Sequence, residues 1–455
     1  MPSNRHSCRS LALFMCLGIS ATTFAQDLLQ SFRLAEQSYP ELEARKADIL
    51  AAESQLQRNR GNRYPTITLS SSLNRDRQKT LDSQSLFFRS GTDYFTSKSA
   101  AIRARQPLLR LADRYRISNS QLETENRQLQ LEISTQNLRL EVAKRYFSLL
   151  SALDTLQFTQ SEKDAIEAQL NLARQGFELG VNAITDTQEA QARFDLARAN
   201  LIQASVDIVN RMDALSELTG QNIRTIQPMK SDDLPAIDEH TLSEWESRML
   251  AHSLELRKSS LTLQQAQNTV KLNRSGHFPE ISATATEQYN ETSGGNFGNR
   301  STLDTIVGIE LALPLFQGWQ ISAQTREAAY NQVSAEHAHE QLKRALIQRV
   351  HENYRRLHTA RRMIDALNQA VKSSETALRA ARDGLNVGTR TIIDVLNAQQ
   401  ALFRSKNDYA NSRYQFVLAL LTLKHTCGVL RENDLLTINQ FLDDHPITLD
   451  STYEN

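Results

Sequence analysis

The side chains that could hold a metal or attack a substrate are few, and their spacing suits neither chemistry. Two histidine pairs, His337 with His339 and His351 with His358, lie in one long segment of helical pattern. The first pair points to different faces of a helix, and neither pair has the acidic partner of the H-E-x-x-H zinc motif. Cys427 has no neighbour placed to orient a base, and a small apolar core residue is the simpler interpretation. The sequence therefore predicts no metal, no cofactor and no enzyme.

The composition points to long uninterrupted elements in place of a catalytic domain. The chain has 455 residues but only 15 glycines and 9 prolines, which is well below average usage. Its 52 basic residues equal its 52 acidic ones, so no net field attracts nucleic acid. Beyond the N-terminus we find no run of about 18 apolar residues, which excludes a helical membrane protein.

The first 25 residues have the pattern of an export signal. A basic start with Arg5 and Arg9 precedes an apolar stretch at 11–19, and Ala25 is a small residue at the expected cleavage position. We expect residues 1–25 to be removed, so that the mature chain begins at Gln26.

An internal repeat determines the predicted architecture. Gly180 recurs as Gly388 and Asp186 as Asp394, in each case 208 residues later. Repeats at a fixed spacing indicate duplicated structural units. We expect one unit at 26–220, a connector at 221–246, a second unit at 247–428 and a tail at 429–455.

Within each unit, apolar residues recur in steps of three and four, as in a coiled coil. This pattern predicts helical hairpins at about 108–220 and 315–428. A helix of about 70 residues is roughly 100 Å long, which is enough to cross a compartment. Gly180 and Gly388 provide the positive backbone angles that a tight turn needs, so each hairpin has its tip there.

Four shorter segments alternate with a period of two and are predicted to be strands, at about 65–76, 92–106, 279–290 and 302–313. Lys98 is an exception, because it falls on the apolar side of its segment. Ten to twelve residues suit a tilted strand in an outer membrane. Four strands cannot close a barrel, and open edges are not tolerated in lipid; three chains would supply twelve strands. A soluble periplasmic coiled coil with β-hairpin caps is the alternative.

The sequence resembles the TolC family of outer-membrane channel-tunnels over essentially all of 26–428. The motifs that carry the resemblance are Tyr64-Pro65 and Phe278-Pro279 before strands, the strand exits at 106–108 and 313–316, and the tip sequences GVNAITD and VGTRTIIDVLNAQ. The resemblance implies an α plus membrane β-barrel fold. This would be a homotrimer with a twelve-stranded β-barrel in the outer membrane and a twelve-helix α-barrel tunnel through the periplasm. The connector and the tail would form an equatorial belt.

The function implied by the resemblance is passive export through this duct. An inner-membrane pump of the ABC or RND type and a periplasmic adaptor would deliver the cargo, either small molecules such as drugs or type I secreted proteins. The adaptor would bind the tips at Gly180, Val181, Asn182, Ala183, Gly388, Thr389 and Arg390.

Matching the tip motifs residue by residue implies a gate. Thr185, Asp186, Arg390 and Asp394 fall on family residues of the closed pore, and an Arg390 to Asp186 contact between neighbouring hairpins would form a latch. Leu385 replaces a tyrosine of that network and Asn397 replaces a second aspartate, so a weaker latch and a less acidic constriction are expected.

Two interpretations of the tip charges remain open from the residues themselves. In a trimer, three Asp394 carboxylates would form a cation-favouring ring, but Asp394 is also placed to cap the return helix. Arg390 is equally compatible with a latch and with a solvated tip.

Two other classes of protein are alternatives to the channel. A periplasmic adaptor also has a long helical hairpin, but it would contain only one, and a structural coiled-coil protein would have no alternating strands. The duplicated hairpin and the four strand-like segments oppose both classes.

Overall fold

The computed structural model describes residues 26–82, 90–180, 183–230, 234–236, 240–294 and 298–449. The expected export signal at 1–25 and the tip residues Val181 and Asn182 lie outside the described residues. Within them, no helix is long and apolar enough to cross a membrane.

Two very long helical hairpins dominate the molecule. Their helices are α3 (Leu111–Glu178) with α4 (Ile184–Thr219), and α7 (Gln320–Asn386) with α8 (Ile392–Thr426). The shorter helices are α1 (Leu28–Ser38), α2 (Pro40–Gly61), α5 (Leu242–His252), α6 (Leu254–Arg274) and α9 (Glu432–Asn439). The strands are β1 (Thr66–Thr80), β2 (Gly91–Leu109), β3 (Thr225–Ile226), β4 (Glu280–Gly294), β5 (Arg300–Ala312) and β6 (Ile447–Thr448).

The duplicated pattern of the sequence corresponds to a duplicated structure. Helices α1 and α5 both have 11 residues, and β1 and β4 both have 15. Helix α4 starts at Ile184 and α8 at Ile392, which again are 208 residues apart. The second unit begins with α5 at Leu242, so the expected boundary at 247 falls inside this helix.

Both long hairpins begin later than the expected residues 108 and 315. Strand β2 runs through Pro107 to Leu109, with a shift of register between these two residues, because proline has no N–H to donate to the ladder. Before α7, Gly318 and Trp319 have φ of 56° and 64°. This left-handed turn delays the start of α7 to Gln320.

The four long strands form one antiparallel sheet in the order β1-β2-β4-β5. Directly paired residues point to the same side, as Leu69 with Ile102 and Ala285 with Val307 do. We call this side the apolar face. It consists of Ile67, Leu69, Ser71, Leu73, Lys98, Ala100, Ile102, Ala104, Ile281, Ala283, Ala285, Glu287, Tyr289, Leu303, Thr305, Val307, Ile309 and Leu311.

The register accounts for Lys98 on this face. Lys98 pairs directly with Glu291, and its Nζ lies 3.2 Å from the Glu291 carboxylate. The hydroxyl of Tyr289 donates to the same carboxylate at 3.2 Å. The lysine therefore has a cross-strand partner close to where the apolar face ends.

The main core lies halfway along the hairpins, where the shorter helices pack against them. Large and almost fully buried side chains fill it: Phe32, Tyr146, Phe147, Leu150, Trp245 and Phe416. The connector and the tail meet beside this core, since β3 pairs with β6 and the Tyr146 hydroxyl donates to the Gln227 carbonyl at 2.8 Å.

Each long hairpin ends at a glycine that is packed against the preceding pair of short helices. Gly220 has φ 67° and lies against Ser38, where α1 gives way to α2. Gly428 has φ 72° and lies against His252, where α5 gives way to α6. An added Cβ would be only 2.3 Å from the His252 carbonyl oxygen, so this contact fixes the residue type at 428.

Candidate gate at the hairpin tips

The two hairpin tips close with the same backbone hydrogen bonds. In the first tip, the Leu179 N–H donates to Gln175 O at 3.1 Å and the Gly180 N–H donates to Phe177 O at 2.9 Å. In the second tip, Val387 and Gly388 make the corresponding bonds at 3.2 and 3.1 Å. Gly180 and Gly388 have φ of 72° and 78°, which is the left-handed region that glycine enters without strain.

The second tip has additional bonds that fold it more tightly. The backbone N–H groups of Thr389 and Arg390 both donate to Gly384 O, at 2.8 and 3.1 Å. The Thr389 hydroxyl donates to the same oxygen at 3.1 Å. The Arg390 side chain lies so close over Gly384 that an added Cβ would be 2.6 Å from its Cγ. Gly384 therefore makes room for the arginine.

Asp394 caps helix α8, as one of the two sequence interpretations expected. Its Oδ2 accepts the Thr391 backbone N–H at 2.9 Å, and the Thr391 hydroxyl accepts the Asp394 N–H at 3.2 Å. This reciprocal pair is a capping box. Hydrogen bonds from Thr391, with a smaller contribution from the charge of Arg390, lower the pKa of Asp394. The carboxylate therefore stays charged at neutral pH in a single chain.

The first tip has no equivalent cap. Helix α4 follows Ala183, which offers no side-chain acceptor, and Thr185 is exposed in its first turn. Asp186 is half-buried and has no ion pair among the described residues. Arg390 lies 3.8 Å from Asp394 of its own tip and is not paired with Asp186 within the chain.

Asn397 and Leu385 sit in different surroundings. Asn397 is exposed, one turn after Asp394. It lines a groove between the hairpins together with Phe158, Glu162 and Arg404. Leu385, by contrast, packs against apolar residues of α7 and α8. Leucine at 385 therefore contributes packing to the tip and no hydroxyl.

The two hairpins of one chain are joined near the tips by a small apolar cluster. Its members on α3 are Ile166, Leu170 and Ala173, and its members on α8 are Ile392 and Leu396. This apolar cluster therefore connects the two tips within one chain. Any motion of one tip relative to the other must separate or rearrange the residues of this cluster.

Farther from the tips, a partly buried polar contact that sequence reasoning missed links the same two helices. The Tyr414 hydroxyl of α8 donates to the Asp154 carboxylate of α3 at 2.6 Å. The neighbouring Arg413 guanidinium donates to the Lys230 carbonyl of the connector. Burial raises the pKa of Asp154, while the Tyr414 hydrogen bond and the Arg413 charge oppose that rise. The only sequence signal for this site is an acid inside the apolar stripe of α3.

We expect Tyr414→Phe to destabilise the protein by about 2 kcal/mol at pH 7, because it leaves a half-buried carboxylate without its donor. The folded-state pKa of Asp154 is raised, so its contribution to stability is lost as pH rises through that pKa. The loss caused by Tyr414→Phe should be smaller at pH 4 than at pH 7, because the hydroxyl stabilises the ionised carboxylate and acid shifts this group toward its neutral form. Urea unfolding of the detergent-purified protein at both pH values measures this.

Tyr64→Phe is the matched control, because Tyr64 is 68% exposed. It should leave the unfolding midpoint unchanged at both pH values. Equal midpoints for Tyr414→Phe and the native chain at pH 7 would show that the hydroxyl does not stabilise the contact between α3 and α8.

The other candidate chemical groups have structural contacts. Cys427 is fully buried, its thiol faces the Trp245 carbonyl at 3.7 Å, and burial raises the pKa of the thiol to about 12. His351 contacts Glu246, and the ring of His358 lies 4.4 Å from the Tyr354 ring. Among the described residues, no three metal-binding side chains come together.

Comparison with known proteins identifies one protein family over most of the chain. The protein-family model described as outer membrane efflux protein matches residues 32–221 and 245–429. Outer membrane protein TolC of Escherichia coli K12 is 29% identical over 93% of this chain and 87% of its own length. The alkaline protease secretion protein AprF of Pseudomonas aeruginosa is 27% identical over 90% of this chain and 86% of its own length.

Solved structures share the fold. The Vibrio cholerae outer membrane protein VceC gives a TM-score of 0.74 at 17% identity, over 88% of this chain and 96% of that one. The Campylobacter jejuni CmeC outer membrane channel gives 0.76 at 16% identity, over 92% and 90%. These findings confirm the resemblance, and with it the expected outer-membrane location and the role as an exit duct; they do not favour an adaptor or a structural coiled coil. The chain belongs to the outer membrane efflux protein family.

Proposed function

We propose that three copies of this chain form one continuous duct, with a twelve-stranded β-barrel in the outer membrane and a twelve-helix tunnel below it. The observation that carries the proposal is the open four-stranded sheet. Its edge strands β1 and β5 each pair on one side only, with β2 and β4, and their outer edges have no partner among the described residues. Its apolar face is strongly exposed, with Leu69 at 75% and Val307 at 78%. Lipid would cover that face only if the edges were paired.

Joining β5 of one copy to β1 of the next satisfies both edges. The two strands have 13 and 15 residues and are of comparable length. Both carry the apolar face at alternate positions, so that face would continue around the barrel. The opposite face of the sheet carries polar side chains, among them Arg103, Arg105 and Glu310, and would line an aqueous passage.

The long hairpins carry apolar residues that neither the core nor the tips use. On α4 these are Leu196, Ile202 and Val206, each at least 50% exposed. On α7 they include Tyr330 and Val333. Side chains of this type on long helices pack against neighbouring helices. They support side-by-side association of the hairpins of different copies into the tunnel wall.

The duct would receive its cargo from an inner-membrane pump of the ABC or RND type through a periplasmic adaptor. The exposed tips, including Gly180, Ala183, Gly388 and Thr389, are the proposed contact for the adaptor. The alkaline protease secretion relative favours type I protein secretion as the export route. The similarity to the Cupriavidus metallidurans protein CzcC, named for cobalt, zinc and cadmium resistance, supports efflux of small solutes as the second candidate.

The gate of this duct is proposed to lie at the second tip. Three Asp394 side chains would form the acidic ring, with Asn397 one turn farther along the helix. The capping bonds of Asp394 do not oppose this role, since they fix its position and keep it ionised. The latch would be a contact of Arg390 with Asp186 of an adjacent hairpin that replaces its weak 3.8 Å contact with Asp394.

Single-channel recording in planar bilayers tests the proposal. The native chain should insert and show small cation-selective openings, and Asp394→Ala should reduce the cation-to-anion permeability ratio severalfold. The native ratio should fall as acid protonates the ring, whereas the ratio of the variant should not respond. Asn397→Asp, which adds a second ring of carboxylates, should raise the ratio.

Asp365→Ala serves as the control for charge alone, because Asp365 is an exposed acid of α7 remote from the tip. The proposed latch is tested separately. Asp186→Ala and Arg390→Ala should both increase the time that the channel spends open. If the native chain does not insert, the duct proposal is wrong. If it inserts but Asp394→Ala keeps the native selectivity, only the gate assignment fails.

A further inference from the structure

Beyond the apolar face, the same side of the sheet becomes basic at the end far from the helices. Continuing from Leu73 at alternate positions, β1 carries Arg75, Arg77 and Lys79. Lys98 of β2 pairs directly with Leu73 and lies beside them. We call Arg75, Arg77, Lys79 and Lys98 the outer basic patch. All four side chains are exposed.

Among the described residues, a single acid, Glu291, forms an ion pair with the four basic side chains of this patch. Lys98 has Glu291 as its partner, but Arg75, Arg77 and Lys79 have no ion pair among the described residues. Arg77 instead lies over the Tyr94 ring, 5.9 Å from its centroid. The other acids of β1 and β2 at this height, Asp76 and Asp93, occupy positions on the opposite side of the sheet.

A neighbouring copy would not bring further acids to the patch. In the proposed trimer, β1 lies beside β5 of the next copy. The residues of β5 on the apolar side near this end are Ser301, Leu303 and Thr305, and none is acidic. The patch would therefore remain cationic on the outside of the barrel.

The position of the patch along the strands indicates which anions it could contact. Arg75 is one pleat repeat beyond Leu73, which is about 7 Å along the strand. Tyrosines flank the boundary at 94 and 289, as they do where a barrel meets lipid headgroups. At that depth the available anions are lipid phosphates. Arginine binds a phosphate through two parallel hydrogen bonds.

Resting on the proposed trimeric barrel, we propose that the outer basic patch binds the phosphate groups of the anionic glycolipid in the outer leaflet. The guanidinium groups of Arg75 and Arg77 provide planar donors, and Lys79 adds a charge without an ion pair among the described residues. Each chain contributes one patch, so a trimer would hold three such lipids around its rim. Contact with the headgroup would also fix how deeply the barrel sits.

The test is a titration of fluorescently labelled lipid A, a phosphorylated glycolipid, into the detergent-purified full mature chain. The triple variant Arg75→Gln, Arg77→Gln, Lys79→Gln removes three charges from the patch. Each charge near an anionic surface is worth about a fivefold change in affinity. We expect the triple variant to bind at least about tenfold more weakly, and the difference to shrink in high salt.

A second triple variant, Arg355→Gln, Arg356→Gln, Arg362→Gln, removes the same charge from exposed positions of α7 and should bind like the native chain. The same glycolipid without its phosphates should bind the native chain no better than it binds the patch variant. Inorganic phosphate should not compete at concentrations near that of the lipid. Native-like binding by the patch variant, indifference to the lipid phosphates, or ready displacement by inorganic phosphate would each overturn the inference.

Insertion into planar bilayers separates this inference from the function on which it rests. If the native chain forms channels but its lipid binding ignores both the phosphates and the patch, the duct stands and the lipid site is wrong. If the chain forms no channels, both fail together.

Discussion

Replacing Gly428 with alanine is expected to destabilise the protein by about 3–5 kcal/mol. The residue ends the second hairpin with φ 72°, a conformation that costs an alanine about 1–2 kcal/mol. The new Cβ would also lie 2.3 Å from the His252 carbonyl oxygen. That oxygen belongs to the backbone where α5 meets α6, so relief requires two helices to shift.

Gly388→Ala is the matched control for the backbone angle. Gly388 has φ 78°, but no atom lies within 4 Å of the position that its Cβ would occupy. We expect a loss of only about 1 kcal/mol. Gly220→Ala should fall between them, because its Cβ would meet the Ser38 side chain at 2.9 Å. Urea unfolding of the purified proteins measures the free energy of unfolding of each variant. Equal losses of this free energy in the three variants would show that the His252 contact relaxes freely.

Val307→Arg is expected to abolish insertion into lipid bilayers. Val307 lies on the apolar face of β5 and is 78% exposed. An arginine in the lipid-facing middle of a barrel costs about 2–4 kcal/mol, and a trimer carries three copies. The variant should accumulate outside the membrane, and single-channel events should disappear from planar-bilayer recordings.

Gly308→Arg places the same side chain one residue later on the opposite side of the sheet. The space at Gly308 is open, and its backbone angle is not positive, so an arginine fits there. This variant should still insert, with altered ion selectivity because its charge would face the passage. Equal insertion of the two arginine variants would contradict the assignment of the apolar face to lipid.

The parts of the fold that could be predicted from sequence are those with a local pattern. Alternation at 302–313 marked β5, and steps of three and four marked the long helices, because side-chain direction follows the period of each element. Gly180 and Gly388 marked the tips because few other residues take that backbone angle. The two-fold repetition of these signals extended each assignment to the other half of the chain.

Features that depend on contacts between distant segments were not predictable. Lys98 looked misplaced until the register set it opposite Glu291. Nothing near Asp154 in the sequence indicates Tyr414, which lies on another hairpin. For Asp394 the sequence left capping and pore lining open, and the geometry of one chain supports the cap, while the ring depends on other copies. The starts of α3 and α7 shifted because a single proline or left-handed turn moves a boundary without changing the periodicity.

The strand order makes folding of the sheet depend on both halves of the chain, because its two central strands come from different halves. The sheet is not two separate hairpins, because β2 pairs with β4 and Ile102 lies opposite Glu287, 185 positions later. A two-stranded hairpin alone is marginally stable in water, and contacts between such distant segments form slowly. If the chain is exported from its N-terminus, as the expected signal at 1–25 implies, β2 would remain without its β4 partner until nearly two hundred further residues have emerged. In the proposed duct, each copy could therefore pair its outer edges with other copies only after β4 and β5 have also emerged.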